Sequence, residues 1–442
     1  MQAMRRTIIA DTPKKIREKV EIAGWVDTKR DHGKITFIDI HDYSGQVQVV
    51  GQDLASLKPQ YVVKIEGTVQ KRPPAMVNKK LKTGEIEIKC QKVEVLSKSQ
   101  KLPFDMGMET LDLELPTLLD NRGLTLRHPK VKAIFKVQEV IIDAFRQSLK
   151  EKNFTEFQSP VIIPQGAEGG AEMFEVKYFD HKAYLAQSPQ FYKQILVGVY
   201  ERVFTVNKTL RAEPSVTTRH LTEVTTLDAE FGFIESWEDI MDMAEYVIKF
   251  IFSRVEKECK EELKLFGATL PKVGEKIPRV KLREVQEIIF KRTKRDVRNE
   301  PDMSPDDERE IYKWAHEEKK SELVFVTHFP THKRPFYSFA DPKDPKFTLS
   351  FDLLGRGVEW LTGGQRINNL DDLIRNAKER GIDLERSELY LQAFKYGMPP
   401  EGGFSFGSER ITMNILGLAN IREASLFPRD MDRVDIRLSK VK

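Results

Sequence analysis

Leu210-Arg211-Ala212-Glu213 and Gly403-Phe404-Ser405-Phe406-Gly407-Ser408-Glu409-Arg410 are the two stretches that decide how this chain folds. The first follows an apolar run, Val203-Phe204-Thr205-Val206, that reads as a strand. A polar stretch from Pro214 to His220 then leads to a second alternating run around Leu227. The pattern is a hairpin with a cation at its base. The second stretch is a glycine-rich strand, after which Arg410 opens a helical run from Glu409 to Leu416. Gly402, Gly403 and Gly407 would leave room for a flat ring against the backbone. A guanidinium grips two phosphate oxygens at once and keeps its charge at any working pH, so arginines placed this way point to nucleotide chemistry. The chain has no P-loop signature and no GxGxxG after a strand, which excludes the two commonest nucleotide folds.

Outward from these stretches, the pattern divides into a small β module and a larger α+β one. Short alternating runs cover Glu21 to Val26, Lys34 to Ile40, Gln46 to Val50, Tyr61 to Val69 and Gly84 to Val95, separated by glycine-bearing turns. Five such strands in about eighty residues predict an OB-like barrel over residues 1–100. The basic segment Lys71 to Lys82 is a loop in that module, readable either as a solvated surface or as a phosphate contact. A polar, proline-bearing stretch from Ser97 to Pro116 places a linker or hinge in 101–130. The region 131–442 is expected to be an antiparallel sheet flanked by helices. Ile134, Val137, Ile141, Phe145 and Leu149 repeat at helical spacing between Pro129 and Lys152, and a second helix begins at Ser236 with Asp239 completing a capping pattern.

Composition narrows the class without naming it. The 442 residues exceed what a single core usually supports. With 72 basic and 68 acidic residues the net charge is only +4, so contact with nucleic acid would have to come from local patches. Two cysteines, Cys90 and Cys259, make neither a disulfide framework nor a cysteine-rich zinc site. His328-Phe-Pro-Thr-His332 has zinc-like spacing, but no cysteine or further histidine accompanies it. No signal peptide and no apolar run of spanning length is present, which predicts a cytoplasmic enzyme without a membrane partner.

Taken together, the motifs resemble those of class II aminoacyl-tRNA synthetases. Arg211-Ala-Glu213 with Thr218-Arg219-His220-Leu221 is similar to motif 2, Gly403 to Arg410 to motif 3, and Phe157-Gln158-Ser159-Pro160 to motif 1. Gln187-Ser188-Pro189-Gln190-Phe191-Tyr192-Lys193-Gln194 and Leu361-Thr362-Gly363-Gly364-Gln365-Arg366 are similar to the amino-acid pocket of the aspartyl-tRNA synthetases. The resemblance runs from about residue 18 to the C-terminus.

The resemblance implies activation of L-aspartate by ATP and its transfer to tRNA(Asp), with tRNA(Asn) as a second acceptor left open. It makes Arg211 and Arg410 catalytic and places Glu168, Gln190, Lys193 and Arg366 around aspartate. Arg211, Glu213, Arg219, His220, Leu221, Glu359, Gly407 and Arg410 would hold ATP. Asp352, Glu359 and Thr362 would hold Mg2+, whose preference is for oxygen ligands. Arg30, Phe37 and Gln48 would read the anticodon, and Pro160 would lie in a homodimer interface. The interval from about Ile234 to Lys346 is too short for the extra domain of bacterial relatives, so the chain resembles the archaeal or eukaryotic form. An asparagine ligase, or a non-catalytic RNA-binding protein on the same fold, are the rival readings. The chain departs from the family pattern at Leu210, Val224, Arg334, Ser405-Phe406 and Ser408.

Overall fold

Along the strand Glu223–Gly232 polar and apolar side chains alternate, and the two sets face opposite ways. Leu227, Ala229 and Phe231 enter a large apolar core, while Thr226, Asp228 and Glu230 lie on the other face. The computed structural model describes residues 5–33, 35–79, 81–166, 173–212, 214, 217–382, 384 and 387–440. They form two units, dividing between Leu113 and Glu114.

In the larger unit eight strands pair in the order Arg279–Lys281, Leu323–Thr327, Ser350–Gly355, Val358–Gln365, Glu401–Gly407, Glu223–Gly232, Arg202–Leu210 and Thr155–Glu156. The central six are antiparallel, and a parallel pair closes each edge. The helices Pro129–Lys150, Glu238–Glu258 and Ser408–Leu416 share one core with Phe204, Leu353, Leu361, Phe404 and Phe406 from one face of the sheet. The spacing predicted the buried stripe of the first helix, since Ile134, Val137, Ile141, Phe145 and Leu149 are all in that core. The opposite face keeps its polar residues and meets the helices Gln190–Tyr200 and Glu388–Lys395, whose apolar sides form a separate cluster with Val203, Phe336 and Ile367. One face therefore stabilises the unit, and the other is left for chemistry.

The smaller unit is a closed five-stranded barrel, Lys19–Asp31, Thr36–His41, Gln46–Gly51, Ile86–Ser97 and Val62–Lys71 in pairing order. Val20, Ile22, Ile38, Val49, Ile65 and Ile88 fill it. The expected strands reappear within about two residues, except that the first runs on to Asp31 instead of stopping at Val26. An irregularity between Val26 and Lys29 bends this strand, and its pairing with Thr36–His41 then resumes through Arg30 and Phe37. Residues 114–130 belong to the larger unit, where the buried Arg122 donates from Nε to the Leu426 carbonyl at 2.8 Å and from Nη2 to the Ser425 carbonyl at 2.6 Å. No described helix is long and apolar enough to cross a membrane.

Phe145 is wholly buried and meets Phe204 and Phe406 edge-on at 5.7 and 5.4 Å. Replacing it by alanine opens a cavity between helix and sheet, and Phe145→Ala is expected to cost about 3–5 kcal/mol. Denaturant unfolding reads this as a lower midpoint with an unchanged slope.

Candidate active site

The polar face of the sheet floors two adjoining cavities. One, of about 910 Å³, is lined by Gln190, Lys193, Asp228, Arg334 and Arg366. The other, of about 660 Å³, is lined by Arg219, His220, Leu221, Gly407 and Arg410. Arg211, Thr226, Glu359, Thr362 and Ser405 line both, so they mark the junction.

At the first end Lys193 is 1 % exposed, on the buried side of the helix Gln190–Tyr200. Its Nζ lies 3.2 Å from Asp228 Oδ1 and 2.9 Å from Glu230 Oε2. Arg366, just beyond the strand Val358–Gln365, donates from Nε to Glu230 Oε1 at 2.7 Å and from Nη2 to the Gly403 carbonyl at 3.2 Å. The two cations named from the sequence thus converge on one carboxylate that the sequence reading missed. Burial pushes the Glu230 carboxyl up, but Arg366 and Lys193 outweigh it and hold it below the ordinary carboxylate range. Burial also works against the Arg366 charge, yet Glu230 beside it leaves the guanidinium held more tightly protonated than usual. The signal that would have found Asp228 and Glu230 is the alternation Thr226-Leu227-Asp228-Ala229-Glu230, which puts three polar groups on one face of a strand. Asp228 Oδ2 is buried at the cavity with no hydrogen-bond donor among the described residues.

At the second end Glu409 fixes the entry to the helix Ser408–Leu416 by accepting the Thr225 backbone N–H with both oxygens, at 3.1 and 3.0 Å. That sets the next residue, Arg410, over the junction, where Nη1 donates to the Glu359 carbonyl at 3.1 Å and lies 3.4 Å from Glu359 Oε1. Arg219 pairs with Glu308 at 3.0 Å, and a ring nitrogen of His220 lies 2.6 Å from the Thr217 hydroxyl. Gly407 is open on the cavity side, as a flat ligand would need. The other two glycines answer to packing instead. A Cβ on Gly402 would lie 2.2 Å from the Ile240 side chain, and one on Gly403 would lie 2.1 Å from the Ala229 carbonyl.

Asp352 and Thr362 are direct cross-strand partners at the junction. Arg334 bridges them, 2.8 Å from Asp352 Oδ2 and donating to the Thr362 hydroxyl at 3.1 Å. Asp352 Oδ1 is buried with no hydrogen-bond donor among the described residues. Although 38 % of the Glu359 side chain is exposed, enclosure by the cavity walls and then the Asp352 charge push its carboxyl up. Two crowded carboxylates, one with an unmatched oxygen, fit a hard divalent cation. Among the described residues no three acidic, histidine or cysteine groups cluster into a closed metal site, so any such ion would complete its shell from substrate or water.

Glu168 and Glu213 lie outside the described residues. On the barrel Arg30 and Phe37 are cross-strand partners, and Arg30 Nη2 donates to Asp39 at 2.9 Å and to the Gln48 amide oxygen at 3.1 Å. Gln48 is buried, and its amide nitrogen donates to Glu87 at 2.7 Å. Phe37 is half-buried, edge-on to His32 at 5.6 Å. Pro160 is exposed, next to exposed Val161 and Ile162.

A family model for tRNA synthetases class II (D, K and N) matches residues 114–431, and one for an OB-fold nucleic acid binding domain matches residues 20–96. The chain belongs to the class II tRNA synthetases, and is thus an ATP-dependent ligase carrying an OB-fold domain. It is 39 % identical over 430 residues to the aspartate–tRNA(Asp/Asn) ligase of Thermus thermophilus, covering 97 % of this chain and 99 % of that one. It is equally 39 % identical over 429 residues to the aspartate–tRNA(Asp) ligase of Pyrococcus abyssi, covering 94 % and 96 %. Among solved structures, asparaginyl-tRNA synthetase from Pyrococcus horikoshii complexed with asparaginyl-adenylate superposes with a TM-score of 0.89, at 31 % identity, over 98 % of this chain and 100 % of that one.

Glu308, on the helix Pro305–Lys319, was not found from the sequence. Burial, only partly offset by Arg219, pushes its carboxyl up to about 7 from an ordinary 4.5. The folded state therefore holds a proton there that the unfolded chain releases, and stability falls as pH rises between those values. Glu308→Gln is expected to match the wild type in melting temperature below pH 4.5 and to exceed it above pH 7. Thermal unfolding across that pH range checks this.

Proposed function

We propose that this chain is an aspartate–tRNA ligase, which forms aspartyl-adenylate from L-aspartate and ATP and passes the aspartyl group to the 3′ end of tRNA(Asp). The observation that carries the reading is the convergence of Lys193 and Arg366, both buried, at the end of a cavity that opens through Arg211 onto a second, arginine-lined one. A side-chain carboxylate entering there meets two cations already desolvated and oriented. An amide would offer them no charge, a mismatch worth several orders of magnitude in a site closed to water. Asp228 Oδ2 faces the cavity as an acceptor for the α-ammonium, with Gln190 beside it. Glu168 is assigned to the same end on the resemblance alone.

The α-carboxylate is already ionised at neutral pH, so the first step needs no general base. One of its oxygens attacks the α-phosphorus, the bond to the bridging oxygen breaks, and pyrophosphate leaves. Arg211, at the junction of the cavities, holds the α-phosphate, and Arg410 the γ-phosphate; His220, Leu221, Gly407 and Glu213 enclose the nucleotide, with Arg219 reaching from the hairpin. Catalysis rests on alignment and on fixed positive charge where negative charge develops. Asp352 and Glu359, with the Thr362 hydroxyl, would hold Mg2+, which when bound neutralises phosphate charge. The terminal ribose hydroxyl of tRNA then attacks the activated carbonyl and AMP leaves. On the barrel we assign Arg30, Phe37 and Gln48 to the anticodon, because stacking and amide contacts are how unpaired bases are read. Pro160 is assigned to the interface of a homodimer.

ATP–pyrophosphate exchange run separately with aspartate, asparagine and lysine tests the reading. Exchange with aspartate alone is expected. Exchange driven by asparagine would overturn the assignment in favour of an asparagine ligase, and none with any amino acid would favour a non-catalytic RNA-binding paralogue. Lys193→Met leaves Asp228 without its cation and Glu230 with Arg366 alone, at a cost of about 3–5 kcal/mol in stability for a broken buried pair. Loss of one of the two cations that meet the substrate carboxylate, about 3–4 kcal/mol of binding, reads as a fall in kcat/KM for aspartate of about a hundred- to a thousandfold. Charging purified tRNA(Asp) and tRNA(Asn) in parallel decides whether the second acceptor is used.

A further inference from the structure

A third acid stands behind the aspartate end of the site. Glu401 opens the strand Glu401–Gly407, is wholly buried, and pairs across the sheet with Gly232. Its side chain shares a face with Glu230, which pairs with Gly403 two residues further on, so the two carboxyls are diagonal neighbours over a glycine. The glycine between them gives Glu230 its room, since a Cβ on Gly403 would lie 2.2 Å from Glu230 Oε2. Glu401 Oε1 accepts from Gln194 Nε2 at 2.6 Å. The amide is fixed in that sense because Gln194 Oε1 already accepts from Gln190 at 3.0 Å and from the Tyr390 hydroxyl at 3.1 Å. Glu401 Oε2 is buried with no hydrogen-bond partner among the described residues.

Two buried carboxyls side by side repel if both ionise, whereas a proton on one lets it donate to the other. The groups that face this pair from the surrounding elements are Lys193, Asp228, Arg366, Tyr337 and Tyr390. If every acid were ionised, two cations, Lys193 and Arg366, would face three anions, Asp228, Glu230 and Glu401, all more than nine-tenths buried. One proton balances the set. It does not belong on Glu230, which lies 2.7 Å from Arg366 and 2.9 Å from Lys193. Glu401 makes no ion pair with either.

We propose that Glu401 works as a neutral carboxylic acid, a positioning residue whose O–H donates to Glu230 and holds it against Arg366 and Lys193. The inference rests on the aspartate reading and deepens it. By staying uncharged, Glu401 keeps a third negative charge, beyond those of Asp228 and Glu230, away from the place where the substrate's own carboxylate must settle. Burial first, and then the Glu230 charge, push its carboxyl far above the usual range, which agrees with the geometry.

The test compares Glu401→Gln with Glu401→Ala. Glutamine copies the neutral acid, accepting from Gln194 and donating to Glu230. E401Q is therefore expected to keep the KM for aspartate within about threefold and to keep aspartate over asparagine. E401A is expected to raise that KM at least tenfold with the KM for ATP unchanged. The infrared difference spectrum of wild type against E401Q at neutral pH should show the carbonyl stretch of a carboxylic acid, moving on transfer to D2O. A tenfold rise in KM for E401Q, its failure to fold, or a difference spectrum carrying only carboxylate bands would each overturn the proposal. The infrared result needs no substrate, so it stands apart from the aspartate reading, which fails on its own if the wild type does not exchange with aspartate.

Discussion

The contact on which the rest of the site depends is the buried meeting of Lys193 and Arg366 at Glu230. Each group would be costly to bury alone, because a charge moved from water into a dry interior loses several kcal/mol of solvation. Together they are held by distances of 2.9 and 2.7 Å, with Asp228 at 3.2 Å as a second anion for the lysine. Such a cluster adds little net stability over an apolar core of the same size. What it supplies is preorganisation, two cations already turned toward a cavity before any ligand arrives.

The sheet makes that arrangement possible. Its central antiparallel strands send alternate residues to opposite faces, so a single run can feed both an apolar core and a polar floor. Phe204, Leu227, Phe404 and Phe406 secure one face against helices, and that packing gives the other face its rigidity. The hairpin then carries Arg211 to the junction of the two cavities, and the helix after the glycine-rich strand carries Arg410 into the second, beside Glu359. Glycine serves three different ends within one strand. Gly402 admits a helix, Gly403 admits the Glu230 side chain, and Gly407 leaves the cavity open.

Much of this was legible in the sequence, for a reason tied to range. Strand alternation and helical stripes are local signals, and so are the barrel's turns; they placed the five barrel strands, the buried helix and the two rim arginines. Alternation could have put Asp228 and Glu230 on the polar face, but which cations they and the other acids meet was not legible, because those partners are remote. Lys193 reaches Asp228 across 35 positions and Gln194 reaches Glu401 across 207. Glu308 escaped for the same cause, meeting Arg219 from 89 positions away. Thr362 was expected among metal ligands, and its hydroxyl also accepts from Arg334, which lies 2.8 Å from one oxygen of Asp352. Only the folded chain shows that competition.

The central claim is that a buried pair of cations selects a free acid next to a nucleotide. Calorimetric titration with non-hydrolysable analogues of aspartyl-adenylate and asparaginyl-adenylate tests it most directly, since on the proposed reading both would span the two cavities and differ only in the group facing Lys193 and Arg366. The account predicts that the aspartyl analogue binds at least a hundredfold more tightly. Equal affinities, or a preference for the asparaginyl analogue, would contradict it.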